Sequence, residues 1–384
     1  MTGVRAITSR RRRAAADAAT IDSVSLAPLL ASLEPHLPPE IIAPAAVARM
    51  RRAAGLLFPA SGIGFEARLA GDPAEVDLYL RVMPQDGSAA ILGGWHRRHP
   101  LAPALAADPY WQRLARLSRL LWAADDALLK PFVNRIGIEV DSTDLDGACA
   151  RPSIAFFDLP NAAGPNGAGL VRTMTDIVLP LALERCLGNL QRRRIGATVA
   201  ALASVGRLRH VGAALRRPDP AIRLVFAVPL DRIAECLARL GFGARVKPIG
   251  DAASSIGGDL TEIALQIDVA ETLGPRVGVE FHASRADAWA GLLKRMTACR
   301  LCTPERAMAL ASWQQAPAEL QRPQGMAPYA SDIPNDTDRL REGLPVRLLS
   351  HAKLSFPPDG NLEAKIYLYA GFVWRRTGAP AETA

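Results

Sequence analysis

The stretch "NLEAKIYLYAGFVW", residues 361–374, alternates with a period of two, so that Lys365, Tyr367 and Tyr369 share one side of a strand while Ile366, Leu368 and Ala370 share the other. The apolar side requires a core beneath it. The other side carries an ammonium and two phenols, which suits either a solvated sheet face or the polar interior of a barrel. Parity alone does not choose between them. The partner run "PVRLLSHAKLSF" precedes it across the turn "PPDGN" and sets His351, Lys353 and Ser355 on one face. Two of the chain's five lysines, Lys353 and Lys365, therefore fall in one hairpin of a protein that otherwise uses arginine. Lysine is a compact charge with rotatable donors, suited to phosphate oxygens in a tight site.

Working outward, the same pattern recurs. "IGFEARLAGDPAEVDLYLRVM" reads as a hairpin turned at Gly71, Asp72 and Pro73, with Glu66 and Arg68 on one face and Asp77, Tyr79 and Arg81 on its partner. "RIGIEVDS" and "PSIAFFDL" form a second strand pair, "AIRLVFAVP" a further strand, and "LTEIALQIDVAETLGPRVGVEFHAS" a hairpin turned at Gly274 and Pro275. Between these runs the periodicity is helical: at "LAPLLASLEPHL" and "APAAVARMRRAAGLL", over 101–130 with Trp111, Leu114, Leu117 and Leu121, in "IVLPLALERCLGNL" and "LDRIAECLARLGF", and over 286–315. Hairpins thus alternate with helices, whereas a parallel sheet would alternate single strands with helices. The arrangement predicts an α/β fold in which an antiparallel sheet of about ten strands closes into a barrel surrounded by α-helices, a closure that leaves no strand edge exposed.

At 384 residues and 49% hydrophobic content the chain can bury a large core. We expect one barrel domain over 24–376, flanked by a disordered basic N-terminal tail (1–23) and a disordered C-terminal tail (377–384). Apolar runs such as "IVLPLAL" fall well short of the ~20 residues a membrane span needs, so no membrane association is expected. The first residues, with "SRRRR", lack the apolar segment of an export signal, and the expected location is cytoplasmic. The five cysteines are scattered and make no disulfide framework. The net charge of +8 raises a nucleic-acid reading. The arginine runs at 10–13, 192–194 and 216–217 carry no interleaved stacking aromatics, however, and read better as solvated helix faces or a tail. "CRLC" at 299–302 lacks a second ligand pair, "GPNGAG" lacks a phosphate-loop context, and "DSTDLD" at 141–146 reads as a solvated turn.

The glutamate of "GIGFEARL" on the first strand of a hairpin, and the Lys-x-Tyr of "AKIYLY" on the second strand of a late one, resemble the ABBA-type (PT-barrel) prenyltransferases, of the dimethylallyltryptophan synthase and cyanobactin prenyltransferase kind. The order of elements extends the resemblance over most of the chain. It implies a lumenal site for an allylic diphosphate donor and for an aromatic small-molecule or peptide acceptor. By resemblance, Glu66 is the acid/base group, and Arg81, Arg223, Arg276, Lys353, Lys365 and Tyr367 bind the diphosphate. Tyr79, Phe157, Glu280 and Tyr369 then line the prenyl or acceptor pocket. No cofactor is required by this reading, no protein-held metal is assigned, and a need for Mg2+ is left open. A dry Glu66 would have a raised pKa unless a cation pairs with it.

The chain departs from the family where "RVGVEF" stands in place of a further Lys-x-Tyr, bringing Arg276, Gly278 and Glu280 to one face. Aromatic residues total only 5%, few for a lumen that shields a carbocation. A barrel that binds an anionic ligand or peptide without chemistry therefore stands as the alternative.

Overall fold

The computed structural model describes residues 25–60, 62–96, 99–123, 129–147, 149–159, 167–216, 221–315 and 341–376. The two expected tails, the arginine run at 10–13, Arg217 and the first half of the "GPNGAG" segment lie outside the described residues. Ten antiparallel strands close into one barrel: β1 (Gly62–Arg68), β2 (Val76–Val82), β3 (Arg135–Val140), β4 (Ile154–Asp158), β5 (Arg207–Ala214), β6 (Ile222–Pro229), β7 (Glu262–Val269), β8 (Leu273–Phe281), β9 (Arg341–Phe356) and β10 (Glu363–Arg376). Each pairs with its chain neighbour, and β10 closes the ring on β1, with Glu66 opposite Tyr367 and Arg68 opposite Lys365.

The period-two pattern sorts the side chains. Ile63, Phe65, Leu78, Leu80, Ile138, Phe157, Phe226, Phe281, Leu354 and Ile366 point outward and are fully or almost fully buried beneath helices. A side chain of this size contributes about 1.5–3 kcal/mol when fully buried, which fixes the register: a one-residue slip would turn the charged face into that core. The helix Pro109–Trp122 illustrates the outer layer. Pro109 sits in its first turn, Asp108 caps it by accepting from the Tyr110 backbone N–H at 3.0 Å, and Trp111, Leu114, Leu117 and Leu121 form its buried stripe. Trp111 packs edge-on against Phe58 at 5.8 Å and donates its indole N–H to the Ala150 carbonyl at 3.0 Å. Helix Pro304–Gln315 sends Arg306 to the carbonyls of Leu69 (2.6 Å) and Gly71 (3.0 Å), holding the first hairpin turn.

Several local expectations are corrected. β5, "RLRHVGAA", falls in a stretch assigned to no strand from sequence, because an irregularity between Leu208 and His210 interrupts its alternation. The β7–β8 turn lies at 270–272, with Val269 paired to Leu273, so Gly274 and Pro275 belong to β8 and not to the turn. The long helix expected after residue 170 is broken by a π-turn at Met174–Val178 and ends at Glu184, whose φ of 56° is left-handed. Arg193 and Arg194 lie exposed on helix Asn189–Leu202, as a solvated face requires. Among the described residues, no helix is long and apolar enough to cross a membrane.

Candidate functional site

The inward faces of the strands enclose two adjoining chambers. The first, about 360 Å³, is lined by five cations, Arg68, Arg223, Arg276, Lys353 and Lys365, and by six carboxylates, Glu66, Asp77, Glu139, Asp141, Asp268 and Glu363. The second, about 320 Å³, is lined by Tyr79, Tyr367, Tyr369, Phe156 and His351 together with Arg81 and Arg135. Glu139 and Gln266 border both.

At the waist between them, Glu66 is 3% exposed and accepts from Lys365 Nζ at 2.5 Å through one carboxylate oxygen, and from the Tyr367 hydroxyl through the other. Burial works to raise the Glu66 pKa, but the Lys365 and Lys353 ammoniums outweigh it and hold the group at about 2. The cation pairing that sequence reasoning set as the exception is thus met. Lys353 stands directly opposite Lys365 across β9 and β10 and opposite Glu280 on β8. Burial, with Arg223 nearby, lowers its pKa to about 8. Arg223 makes a two-pronged contact with Asp268 at 2.9 and 3.4 Å.

Among the carboxylates, Glu139 and Asp268 are the ones that the sequence reading passed over. Burial and then the charge of Glu66 push Glu139 up to about 8 and Asp77 up to about 6, the latter opposed by the Ser142 backbone N–H at 2.8 Å. Oxygens of Glu66, Asp77 and Glu139 lie within 4.8 Å of one another, a set able to hold a hard cation. The signal was available: alternation in "RIGIEV" places Glu139 on the face of Arg135, and that in "LQIDV" pairs Gln266 with Asp268. A search for lysine and tyrosine passes over them. The "DSTDLD" turn is likewise more than a solvated loop, since Asp141, Ser142 and Thr143 line the mouth of the first chamber.

The residues singled out from sequence divide between the chambers. Glu66, Lys353, Lys365, Tyr367, Arg223 and Glu280 converge at or beside the waist, and Arg276 stands half-exposed at the rim, 4.0 Å from Glu363. Arg81 is not with the other cations. It lies four residues along β2 from Asp77, about 13 Å at the rise of a strand, and its guanidinium sits 4.9 Å from the Tyr369 ring centre in the second chamber. Phe157 is also corrected: it is fully buried on the outer face of β4, and the inward neighbour Phe156 takes the place expected of it. Tyr79 and Tyr369 do reach the second chamber, lying flat against the wall over Gly137 and Gly62, where any Cβ would collide with the rings.

A closed ten-stranded antiparallel barrel ringed by helices, with a charged and ring-lined lumen, is the ABBA or PT-barrel architecture. No protein-family model matches the sequence, and no curated protein sequence matches it. In fold the chain is similar to a 6-dimethylallyl tryptophan synthase, with 15% identity, coverage of 90% of this chain and 96% of that one, and a TM-score of 0.47. It is similar also to 5-dimethylallyl tryptophan synthase from Streptomyces coelicolor, solved in complex with DMASPP and Trp (12% identity, 90% and 95% coverage, TM-score 0.45). A third is AnaPT from Neosartorya fischeri (12% identity, 84% and 80% coverage, TM-score 0.44). All three are ABBA prenyltransferases, and the likeness is one of architecture.

Proposed function

We propose that the protein is a prenyltransferase, moving a dimethylallyl or geranyl group from its diphosphate to an electron-rich aromatic small molecule or a nucleophilic peptide side chain. The observation that carries this reading is the apposition of Lys353 and Lys365 inside a closed lumen, beside Arg223 and next to a chamber walled by rings. Two ammoniums in register repel one another, and a polyanion between them relieves that repulsion.

In this reading the diphosphate lies among Lys353, Lys365 and Arg223, with Arg276 at the mouth. Fixed cations stabilise the charge that grows on the diphosphate as its bond to the allylic carbon breaks and the electron pair leaves with oxygen. The allyl cation then faces the rings of the second chamber, whose negative faces stabilise it, and the barrel wall keeps bulk water away. An acceptor held in that chamber attacks the cation and loses a proton, for which Glu66 is the ionised carboxylate at the waist. The six carboxylates around the five cations favour entry of the diphosphate as its magnesium salt, toward which Asp77 and Glu139 would turn their oxygens, leaving Glu66 to the proton.

The pairing of Lys365 with Glu66 and of Arg223 with Asp268 favours a second reading, a barrel already satisfied in charge that binds a ligand without chemistry. Turnover separates the two. Purified protein incubated with dimethylallyl or geranyl diphosphate, Mg2+ and a panel of indoles, phenols and Tyr- or Trp-containing peptides should release inorganic diphosphate and yield prenylated acceptor by mass spectrometry. Lys353→Met should abolish both. Tight donor binding with no product across the panel would favour the non-catalytic reading.

A further inference from the structure

Glu280, His282 and His351 bring one carboxylate oxygen and two imidazole nitrogens to within 4.8 Å of one another at the edge of the ring-lined chamber. Two of the chain's six histidines meet here. Glu280 points inward from β8, His282 follows directly after the strand's last residue, and the register that pairs Phe281 with Ala352 leads His282 to His351, with ring centres 4.9 Å apart. The β9–β10 register shifts between Tyr367 and Leu368, where β9 carries Ser350 as an extra residue, so Ser350 and His351 both reach the lumen. Such bulges re-aim side chains beside functional sites: His351 keeps the inward parity of Lys353 and Ser355, and the extra residue turns Ser350 and Leu348 to the same lumenal side.

The distances suit a shared ion. Glu280 Oε2 lies 3.2 Å from His282 Nε2, and Glu280 Oε1 lies 3.7 Å from His351 Nε2. Metal bonds of ~2.0–2.2 Å separate adjacent ligand atoms by about 3.0–3.5 Å, so a small inward movement of His351 completes the set. The outer contacts are those of oriented ligands. Ser350 Oγ is 3.1 Å from His351 Nδ1, which leaves Nε2 as the nitrogen turned toward Glu280, and the Gln266 amide donates to the Glu280 carboxylate. The His351 ring is stacked on Tyr367, with centres 3.9 Å apart and planes 19° from parallel, which fixes its plane.

We propose that Glu280, His282 and His351 form an open binding site for a divalent first-row transition metal, zinc or iron(II), with its remaining coordination positions facing the second chamber. Two imidazoles and one carboxylate are the donor set such ions take, whereas magnesium and calcium take oxygen alone. The site is separate from the carboxylate trio of the first chamber and independent of the prenyl-transfer reading. Water, or a heteroatom of a molecule in the second chamber, would complete the coordination shell.

The test uses the tag-free full chain, stripped with a chelator and then titrated with Zn2+, with Co2+ and, under anaerobic conditions, with Fe2+. No prenyl donor is present, so the result does not depend on transferase activity. One equivalent of bound metal is expected by elemental analysis, with visible absorption bands of a low-symmetry site for Co2+. His282→Ala and His351→Ala should each weaken binding at least tenfold, while His36→Ala, on an exposed turn, should not change it. Circular dichroism and melting temperature establish that each variant is folded, and His282→Gln serves if the alanine variant is not. Less than a tenth of an equivalent bound to the native chain, or binding unaffected by both histidine variants, would overturn the proposal and leave the cluster a hydrogen-bonded network.

Discussion

Removing the Lys365 ammonium should turn Glu66 from a satisfied carboxylate into a stranded one. In the native protein Glu66 is almost fully buried, and only the contact at 2.5 Å, the Tyr367 hydroxyl and the field of Lys353 keep it ionised. Breaking a buried ion pair by deleting one partner costs roughly 3–5 kcal/mol. Because Tyr367 and Lys353 remain, Lys365→Met is expected near the lower end, about 3 kcal/mol. Glu66→Gln should cost less, about 1–2 kcal/mol, since Lys365 keeps Glu363 at 3.7 Å near the mouth. The double variant should be more stable than the sum of the two losses implies, with a coupling of at least about 1 kcal/mol.

The pH dependence has a definite sign. The native Glu66 pKa is lowered, so its contribution is present above the unfolded value of about 4.3 and is lost as pH falls through the folded value. In Lys365→Met burial dominates and the folded pKa lies above the unfolded one. The penalty is then full at neutral pH and disappears once the pH drops below about 4.3. Urea unfolding of both proteins at about pH 7 and about pH 4.5 should show the stability gap shrinking by at least half. A gap below about 1 kcal/mol at neutral pH, or one unchanged between the two pH values, would refute the reasoning.

Three further outcomes are expected. Phe157→Ala should destabilise the fold by about 3–5 kcal/mol in urea unfolding, as removal of a fully buried ring does, whereas Phe156→Ala should leave stability within about 1 kcal/mol and weaken binding of the prenyl donor. Gly137→Ala drives a methyl group into the Tyr79 ring and should cost about 1–3 kcal/mol, read as a lower melting temperature and partly recovered in Gly137→Ala/Tyr79→Ala. Donor affinity should weaken as pH rises through about 8, where Lys353 loses its proton and Glu139 gains its charge, and Lys353→Arg should remove the lysine's share of that fall in calorimetric titrations. A native profile that stays flat to about pH 9.5 would exclude Lys353 from the diphosphate site.

The sheet was legible because each strand has one face that must be apolar: "AKIYLY", "GFEARL" and "RIGIEV" state their registers directly. Which face is the lumen was not legible, since a barrel interior and a wet sheet surface share the same parity. Only closure of β10 onto β1 decides it. Bulges hide the rest. The irregularity at Leu208–His210 removed β5 from view, and the extra residue at Ser350 turned Ser350 and Leu348 into the lumen beside His351. Carboxylates such as Glu139 and Asp268 were visible as residues but not as a cluster, because their convergence depends on strands more than 100 residues apart. Phe157 was placed inside by the family resemblance; alternation puts it on the face opposite Phe156, and it is Phe156 that lines the lumen.

On the proposed function, the charged chamber receives an allylic diphosphate through Lys353 and Lys365. This is tested most directly by calorimetric titration of the full chain with hydrolysis-resistant dimethylallyl thiolodiphosphate in the presence of Mg2+. A single site with one ligand per chain is expected, weakened at least tenfold in Lys353→Met while that variant stays folded. Absence of binding at millimolar ligand, or equal affinity in the native chain and Lys353→Met, would contradict it.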